Sequence, residues 1–142
     1  MYKKVLFATD FDEVGVKAAR KAKKIADENS AELILVHIVE PIPAYAYPGF
    51  AGFAEVEVSI REQAEKELNE LAKQLGVDQN HQFLEFGSTK NEVLRVADEN
   101  KVDLIVTGSH GKDGLALLLG STANAILHGA NCDVLIVRPT EK

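Results

Sequence analysis

The sequence predicts an α/β fold, in which an open sheet of parallel strands is covered by helices on both faces. Short continuous apolar runs are typical of strands that are buried on both sides. Such runs occupy residues 5–8, 33–39, 104–106 and 134–137, and a more mixed run at 83–86 is typical of an edge strand. Helical patterns lie between the runs, so the predicted order is β-α-β-α-β-α-β-α-β.

Four apolar stripes at helical spacing predict the helices. Gly76 follows the second stripe and Gly129 the fourth, and glycine is a common residue at helix ends. The pattern Thr89-x-x-Glu92 predicts a capping box at the start of the third helix. The stripes consist of Ala18, Ala19, Ala22, Ile25 and Ala26; of Ile60, Ala64, Leu68, Leu71 and Leu75; of Val93, Leu94 and Ala97; and of Leu119, Ala123, Ile126 and Leu127.

Length and composition restrict the class of protein. The 142 residues are expected to form a single domain, 1–142. A net charge of −6 argues against a general nucleic-acid binder, which would show a basic face. One cysteine, Cys132, is typical of a reducing compartment, and it is expected to serve packing. Without an apolar run of about 20 residues or a cleavable signal, the chain is expected to be soluble and cytoplasmic, with no membrane partner.

The most specific pattern is a cluster of glycines after the fourth apolar run. Four of the ten glycines fall between Gly108 and Gly120. Gly108 and Gly111 would permit close approach of the backbone to a ligand, or a positive φ. Gly120 and Ser121 stand at a predicted helix start, where N–H groups and the helix dipole favour an anion. The cluster therefore predicts a phosphate cradle, although tight turns alone would also explain the glycines.

Other phosphate motifs do not fit. A Walker loop would need a glycine at Val106 and a hydroxyl residue at Asp113. A dinucleotide fingerprint would follow the first strand and have a different glycine spacing. A response-regulator site would need an aspartate where Gly87 stands and a lysine where Pro139 stands.

The segment Gly108-Ser109-His110-Gly111, followed by eight residues and Gly120-Ser121, resembles the nucleotide-binding motif of the universal stress protein (UspA) family. The opening segment 4–11, the second-strand end 36–39 and the ending 132–139 are also similar to that family. The resemblance covers essentially the whole chain and points to the family's nucleotide-binding branch.

The resemblance implies a Rossmann-like sheet of the adenine nucleotide alpha hydrolase type, with strand order 3-2-1-4-5. It also implies a dimeric stress-response or signalling module that binds ATP or AMP, with Mg²⁺ held through the phosphates. The family spacing between the last two glycines is usually nine residues, so the eight found here put triphosphate geometry in question. The nucleotide-binding residues implied are Ala8, Thr9, Asp10, Ile38, Thr107, Gly108, His110, Gly111, Gly120, Ser121, Thr122 and Ala123.

The last strand carries the partner prediction. In the implied order it lies at an edge, and an edge strand of apolar β-formers favours pairing with a second copy of the chain. The expected homodimer contact comprises Val134, Leu135, Ile136 and Val137. Two alternatives remain open: a slow Mg²⁺-dependent ATP hydrolase, and an interaction dimer without nucleotide. No catalytic residue is assigned.

Several single residues have less specific interpretations. His37, inside a strand, is expected to be a hydrogen-bonded core histidine. Asp12 is expected to be a helix N-cap. His110 would contact phosphate or face solvent. The Pro- and Gly-rich stretch 41–53 would be either a flap over the site or a loop folded on its own surface.

Overall fold

A computed structural model describes residues 1–11, 13–41, 52–109 and 120–138 of the chain. Strands and helices alternate throughout this part, as the sequence predicts. The elements are β1 (Lys4–Ala8), α1 (Glu13–Asn29), β2 (Glu32–Val39), α2 (Phe53–Leu75), a 3₁₀ turn (Gln79–His81), β3 (Gln82–Phe86), α3 (Thr89–Glu99), β4 (Leu104–Gly108), α4 (Ser121–Gly129) and β5 (Asp133–Val137).

The five strands form one parallel sheet in the order β3-β2-β1-β4-β5, which confirms the predicted fold class. Leu6 at the centre of β1 lies opposite Ile34 of β2 on one side and Ile105 of β4 on the other. The chain moves outward from β1 to β3 and then crosses back to β4. The strand order therefore reverses between β1 and β4, and ligands of open α/β sheets bind beside such a reversal.

Helices cover both faces of the sheet because alternate residues of each strand point in opposite directions. Val5 and Phe7 of β1 belong to the apolar cluster that packs against α1 and α2. Leu6 belongs to the opposite cluster, which includes Val93 of α3 and Ile126 of α4. Each strand at the centre of the sheet is thus buried on both sides, which explains the continuous apolar runs.

Local sequence patterns predict some of the helix ends correctly and others wrongly. Gly76 ends α2 with φ +69°, as its position predicts, and Gly129 is the last residue of α4. The predicted capping box is wrong, because α3 begins at Thr89 itself and its N-cap is Ser88. The Thr89 hydroxyl donates instead to Glu40 of another segment.

One member of the fourth stripe is also misplaced. Leu127 is 45% exposed, whereas its neighbour Ile126 is fully buried. Only nine residues form α4, and its inward face in the described structure consists of Ala123 and Ile126. Within the described residues, no helix combines the length and apolar character that crossing a membrane requires.

Candidate functional site

Buried polar side chains are concentrated at one place in the fold. The buried polar side chains of the described residues are Thr9, Thr107 and Ser109, and all three lie at the carboxyl ends of β1 and β4. The Thr9 N–H donates to Val36 of β2 at 3.0 Å, and the Ser109 N–H donates to Val137 of β5 at 3.0 Å. Sheet hydrogen bonding therefore continues past the ends of both central strands and fixes the backbone at the strand reversal.

The start of α4 is hydrogen-bonded to the residue that follows β4. The Gly120 N–H donates to the carbonyl of Ser109 at 2.6 Å. Gly120 is the N-cap of α4, and no side chain of the described residues caps the helix there. Ser121 and Thr122, the first two helical residues, have exposed side chains. The first turn of a helix has N–H groups without intrahelical acceptors and the positive end of the dipole, so this end favours an anion.

The two described glycines of the predicted cradle have ordinary backbone torsions. Gly108 lies within the extended backbone of β4, and Gly120 has φ −62° and ψ 152°. Of the two properties that Gly108 would permit, positive φ is therefore not used, and close approach of the backbone to a ligand stays a prediction. Gly111 and His110 lie outside the described residues, as do the expected N-cap Asp12, Leu119 of the fourth stripe and positions 42–51 of the stretch that would form a flap or a surface loop.

A cleft of about 580 Å³ opens between the carboxyl ends of β1 and β2 and one face of α2. Its volume falls in the usual range for small-molecule sites. From the strand side it is lined by Asp10, Phe11, His37, Ile38, Val39 and Glu40, and from α2 by Ser59, Ile60, Gln63, Ala64 and Glu67. Two of the predicted site residues, Asp10 and Ile38, therefore line the same cleft.

A compact hydrogen-bonded group forms the floor where β1 ends. His37 Nδ1 lies 2.6 Å from the carbonyl oxygen of Thr9. Because a carbonyl oxygen only accepts, Nδ1 must carry the proton. The Phe11 N–H donates to the Thr9 hydroxyl oxygen at 3.0 Å. The rings of Phe11 and His37 are in contact, with centroids 4.2 Å apart. His37 is thus hydrogen-bonded, as expected, but it is half-buried and lines the cleft.

The two parts of this edge differ in charge. Asp10, Glu40 and Glu67 supply carboxylates to the cleft. The backbone N–H and the hydroxyl of Thr89 both donate to the Glu40 carboxylate. These bonds lower the pKa of Glu40, and the backbone N–H has the larger effect. The start of α4 presents helix N–H groups instead. The cleft is therefore acidic, whereas the start of α4 is the positive end of a helix dipole.

The remaining predicted residues divide by exposure. Thr107 of β4 and Ala123 of α4 are buried, and Ala8 at the end of β1 is half-buried. Several cleft residues were not predicted as site residues, among them Phe11 and Glu40 at the strand ends and the polar face of α2. Ser59, Gln63 and Glu67 recur every four residues, and this polar stripe beside the apolar one was the available signal.

Metal and thiol chemistry receive little support from the described residues. Within them, no three His, Cys, Asp or Glu side chains come together as a metal site. Burial, together with nearby Asp133 and Asp98, raises the pKa of the Cys132 thiol. A thiol with a raised pKa is a poor nucleophile at neutral pH, in agreement with the packing role expected for Cys132.

Comparison with known proteins identifies the family. A family model described as the universal stress protein family matches residues 1–138. The chain belongs to the universal stress protein family. Among curated relatives, "Universal stress protein A homolog 2" of Coxiella burnetii is 45% identical over 139 residues, which cover 96% of this chain and 95% of the relative.

Solved structures agree with this assignment. The structure of the hypothetical protein MJ0577 matches this universal stress protein with a TM-score of 0.84 and 27% identity, covering 100% of this chain and 99% of the other. A universal stress protein solved in complex with cAMP matches with a TM-score of 0.65 and 30% identity, covering 96% and 97% of the two chains.

Proposed function

We propose that this universal stress protein binds an adenine nucleotide, ATP or AMP, at the carboxyl edge of its sheet. The observation that carries the proposal is the start of α4. It is joined to the end of β4 by the 2.6 Å bond between Gly120 and Ser109, and no described side chain caps it. That arrangement offers N–H groups to a phosphate at the same carboxyl edge of the sheet as a cleft whose volume fits a base.

The charge distribution along the carboxyl edge of the sheet favours one orientation of the nucleotide. The three carboxylates of the cleft disfavour a phosphate that carries no metal ion, and they accept hydrogen bonds from amino groups of a base or from ribose hydroxyls. Ala8 and Ile38 supply apolar surface for the base, and Ser121 and Thr122 add hydroxyl donors at the phosphate end. The net charge of −6 is compatible with this ligand because backbone N–H groups, not a basic surface, make the phosphate contact.

The cAMP complex of a relative with 30% identity supports an adenine nucleotide as the ligand class. A Mg²⁺ ion would be held mainly by the phosphates, and Asp10 is the side chain that we assign to it. The ion would neutralise phosphate charge at this acidic edge.

Glycine replacement tests the site. Gly120 has backbone torsions open to any residue, so Gly120→Leu introduces no torsional strain and is expected to place a side chain near the helix N–H groups. We expect isothermal titration calorimetry to show at least a roughly ten-fold loss of ATP and AMP affinity. Gly52→Leu is the matched control, because a Cβ there meets nothing within 4 Å. Absence of saturable ATP or AMP binding by the wild-type protein would refute the proposal.

We also propose that the functional unit is a homodimer that joins β5 strands and acts as a stress-response or signalling module. β5 is an edge strand, and Val134, Leu135 and Ile136 are only half-buried. The carbonyl of Val137 faces β4, where it accepts from Ser109. Alternation along the strand therefore directs the backbone groups of Val134 and Ile136 to the open edge.

A proline at the open edge tests the dimer. Ile136→Pro removes an N–H that points away from β4 and so leaves the β4–β5 pairing in place. Light scattering is expected to give twice the 15.5 kDa chain mass for the wild-type protein and a single chain mass for the variant. A monomeric wild-type protein would contradict this proposal without affecting the nucleotide site.

A further inference from the structure

Phe11 separates two cavities. On one side lies the 580 Å³ cleft, which Phe11 lines together with Asp10 and Ile38. On the other side lies a cavity of about 150 Å³ between the start of α1 and α2, lined by Val16, Leu71 and other residues. Phe11 and Glu67 are the residues that line both. The Phe11 ring therefore stands at the boundary between the cleft and the space behind it.

The position of this ring is determined at several points. The backbone of Phe11 is left-handed, with φ +67°, a conformation that is rare for a bulky L-residue. The bond from its N–H to the Thr9 hydroxyl maintains the turn, and the ring lies against His37. His37 is itself bound to Thr9. A strained backbone that its surroundings maintain is a frequent feature of functional sites.

We infer that Phe11 is the specificity-determining wall of the nucleotide site, which limits the base to one without bulky substituents. The inference rests on the proposed function, which places the base in the 580 Å³ cleft. The space behind the wall measures about 150 Å³, the volume of a cavity that holds benzene, and Glu70 and Gln74 line it together with Val16 and Leu71. Removal of the Phe11 ring joins the two cavities and admits a substituent of that size.

The test measures affinity for ATP and for three ATP analogues that carry a benzyl group at N6, C2 or C8 of the base. The variants are Phe11→Gly, which removes the ring and is compatible with positive φ, and Phe11→Leu, which shortens the wall. Val16→Ala is the control, because Val16 lines the small cavity alone. Circular dichroism and cooperative thermal unfolding report that each variant is folded.

Phe11→Gly is expected to gain about ten-fold or more in affinity for the analogue whose substituent faces the wall. Phe11→Leu is expected to gain less, and Val16→Ala to behave as wild type. Absence of a gain for all three analogues in both Phe11 variants overturns the inference, as does an equal gain in Val16→Ala. If the wild-type protein binds ATP and its analogues equally, no wall exists. If it does not bind ATP, the proposed function fails and this inference with it.

Discussion

Among the helices that begin at the carboxyl edge of the sheet, α3 and α4 have different N-termini. At the start of α3, the Glu40 carboxylate accepts from the Thr89 N–H at 3.1 Å and from the Thr89 hydroxyl at 2.8 Å. At the start of α4, no described side chain takes that place. The N-terminus of α3 thus has an anion from its own chain, whereas the N-terminus of α4 has none among the described residues.

The difference follows from position in the sheet. α3 leaves the edge strand β3, and its start is near the end of β2, which provides Glu40. α4 follows β4, at the strand reversal where open α/β sheets bind ligands. An internal carboxylate stabilises a helix permanently, whereas a ligand phosphate stabilises it only when bound. The comparison predicts that α3 contributes stability through its cap and that α4 depends on packing.

Packing at α4 gives the largest expected effect. Ile126 is fully buried against the sheet, so Ile126→Ala is expected to lower the free energy of unfolding by about 3 kcal/mol. Leu127→Ala, at an exposed neighbour on the same helix, is the control and should cost well under about 1 kcal/mol. Urea denaturation measures both variants. Equal losses would show that α4 is not held by its buried face.

Loss of the Glu40 carboxylate at the start of α3 is expected to have an intermediate effect on stability. Glu40→Gln is expected to reduce stability by about 1 kcal/mol at pH 7, since an exposed charged hydrogen bond is partly screened. Bonds from Thr89 lower the pKa of Glu40 below its ordinary 4.5, so the carboxylate stabilises the folded state above that pH. The contribution disappears as the pH falls through the lowered pKa.

Denaturation of the wild-type protein and Glu40→Gln across this pH range tests the dependence. The difference between them should be present at pH 7 and shrink below 4.5. Glu62→Gln, an exposed position within α2, controls for loss of charge alone. A difference that grows on acidification would contradict the role of Glu40 as an anionic cap.

Removal of a single hydroxyl group is expected to have the smallest effect on stability. Thr89→Ala removes one hydrogen bond to Glu40 and is expected to cost about 0.5 kcal/mol. Ser121→Ala, at the equivalent first residue of α4, is expected to leave stability unchanged and to weaken ATP binding. Thermal unfolding with and without ATP measures both variants. A larger loss at Ser121 than at Thr89 in the absence of ATP would reverse the comparison.

Much of this architecture was predictable from sequence because it depends on local patterns. Apolar runs identify the strands, and Gly76 marks the end of α2 through the left-handed torsion that it adopts. Patterns at helix starts were less informative. Thr89 and Glu92 have capping-box spacing, but Thr89 bonds to Glu40, 49 residues away, and Glu92 pairs with Arg95.

The site was predicted in part for the same reason. The strand ends and the start of α4 follow from chain order, so Asp10, Gly120 and Ser121 could be proposed. The α2 side of the cleft could not, because the placement of Gln63 and Glu67 opposite Asp10 depends on packing between distant segments. The left-handed backbone of Phe11 likewise depends on its contacts with Thr9 and His37.

A charge change at Ser121 tests the central claim most directly. Ser121→Asp places a negative charge at the first position of α4, which favours the helix but repels a phosphate, and Ser121→Asn has nearly the same shape without the charge. Calorimetry is predicted to show ATP binding to Ser121→Asp at least about ten-fold weaker than to Ser121→Asn, with equal adenosine binding. Equal ATP affinity of the two variants would contradict phosphate binding at α4.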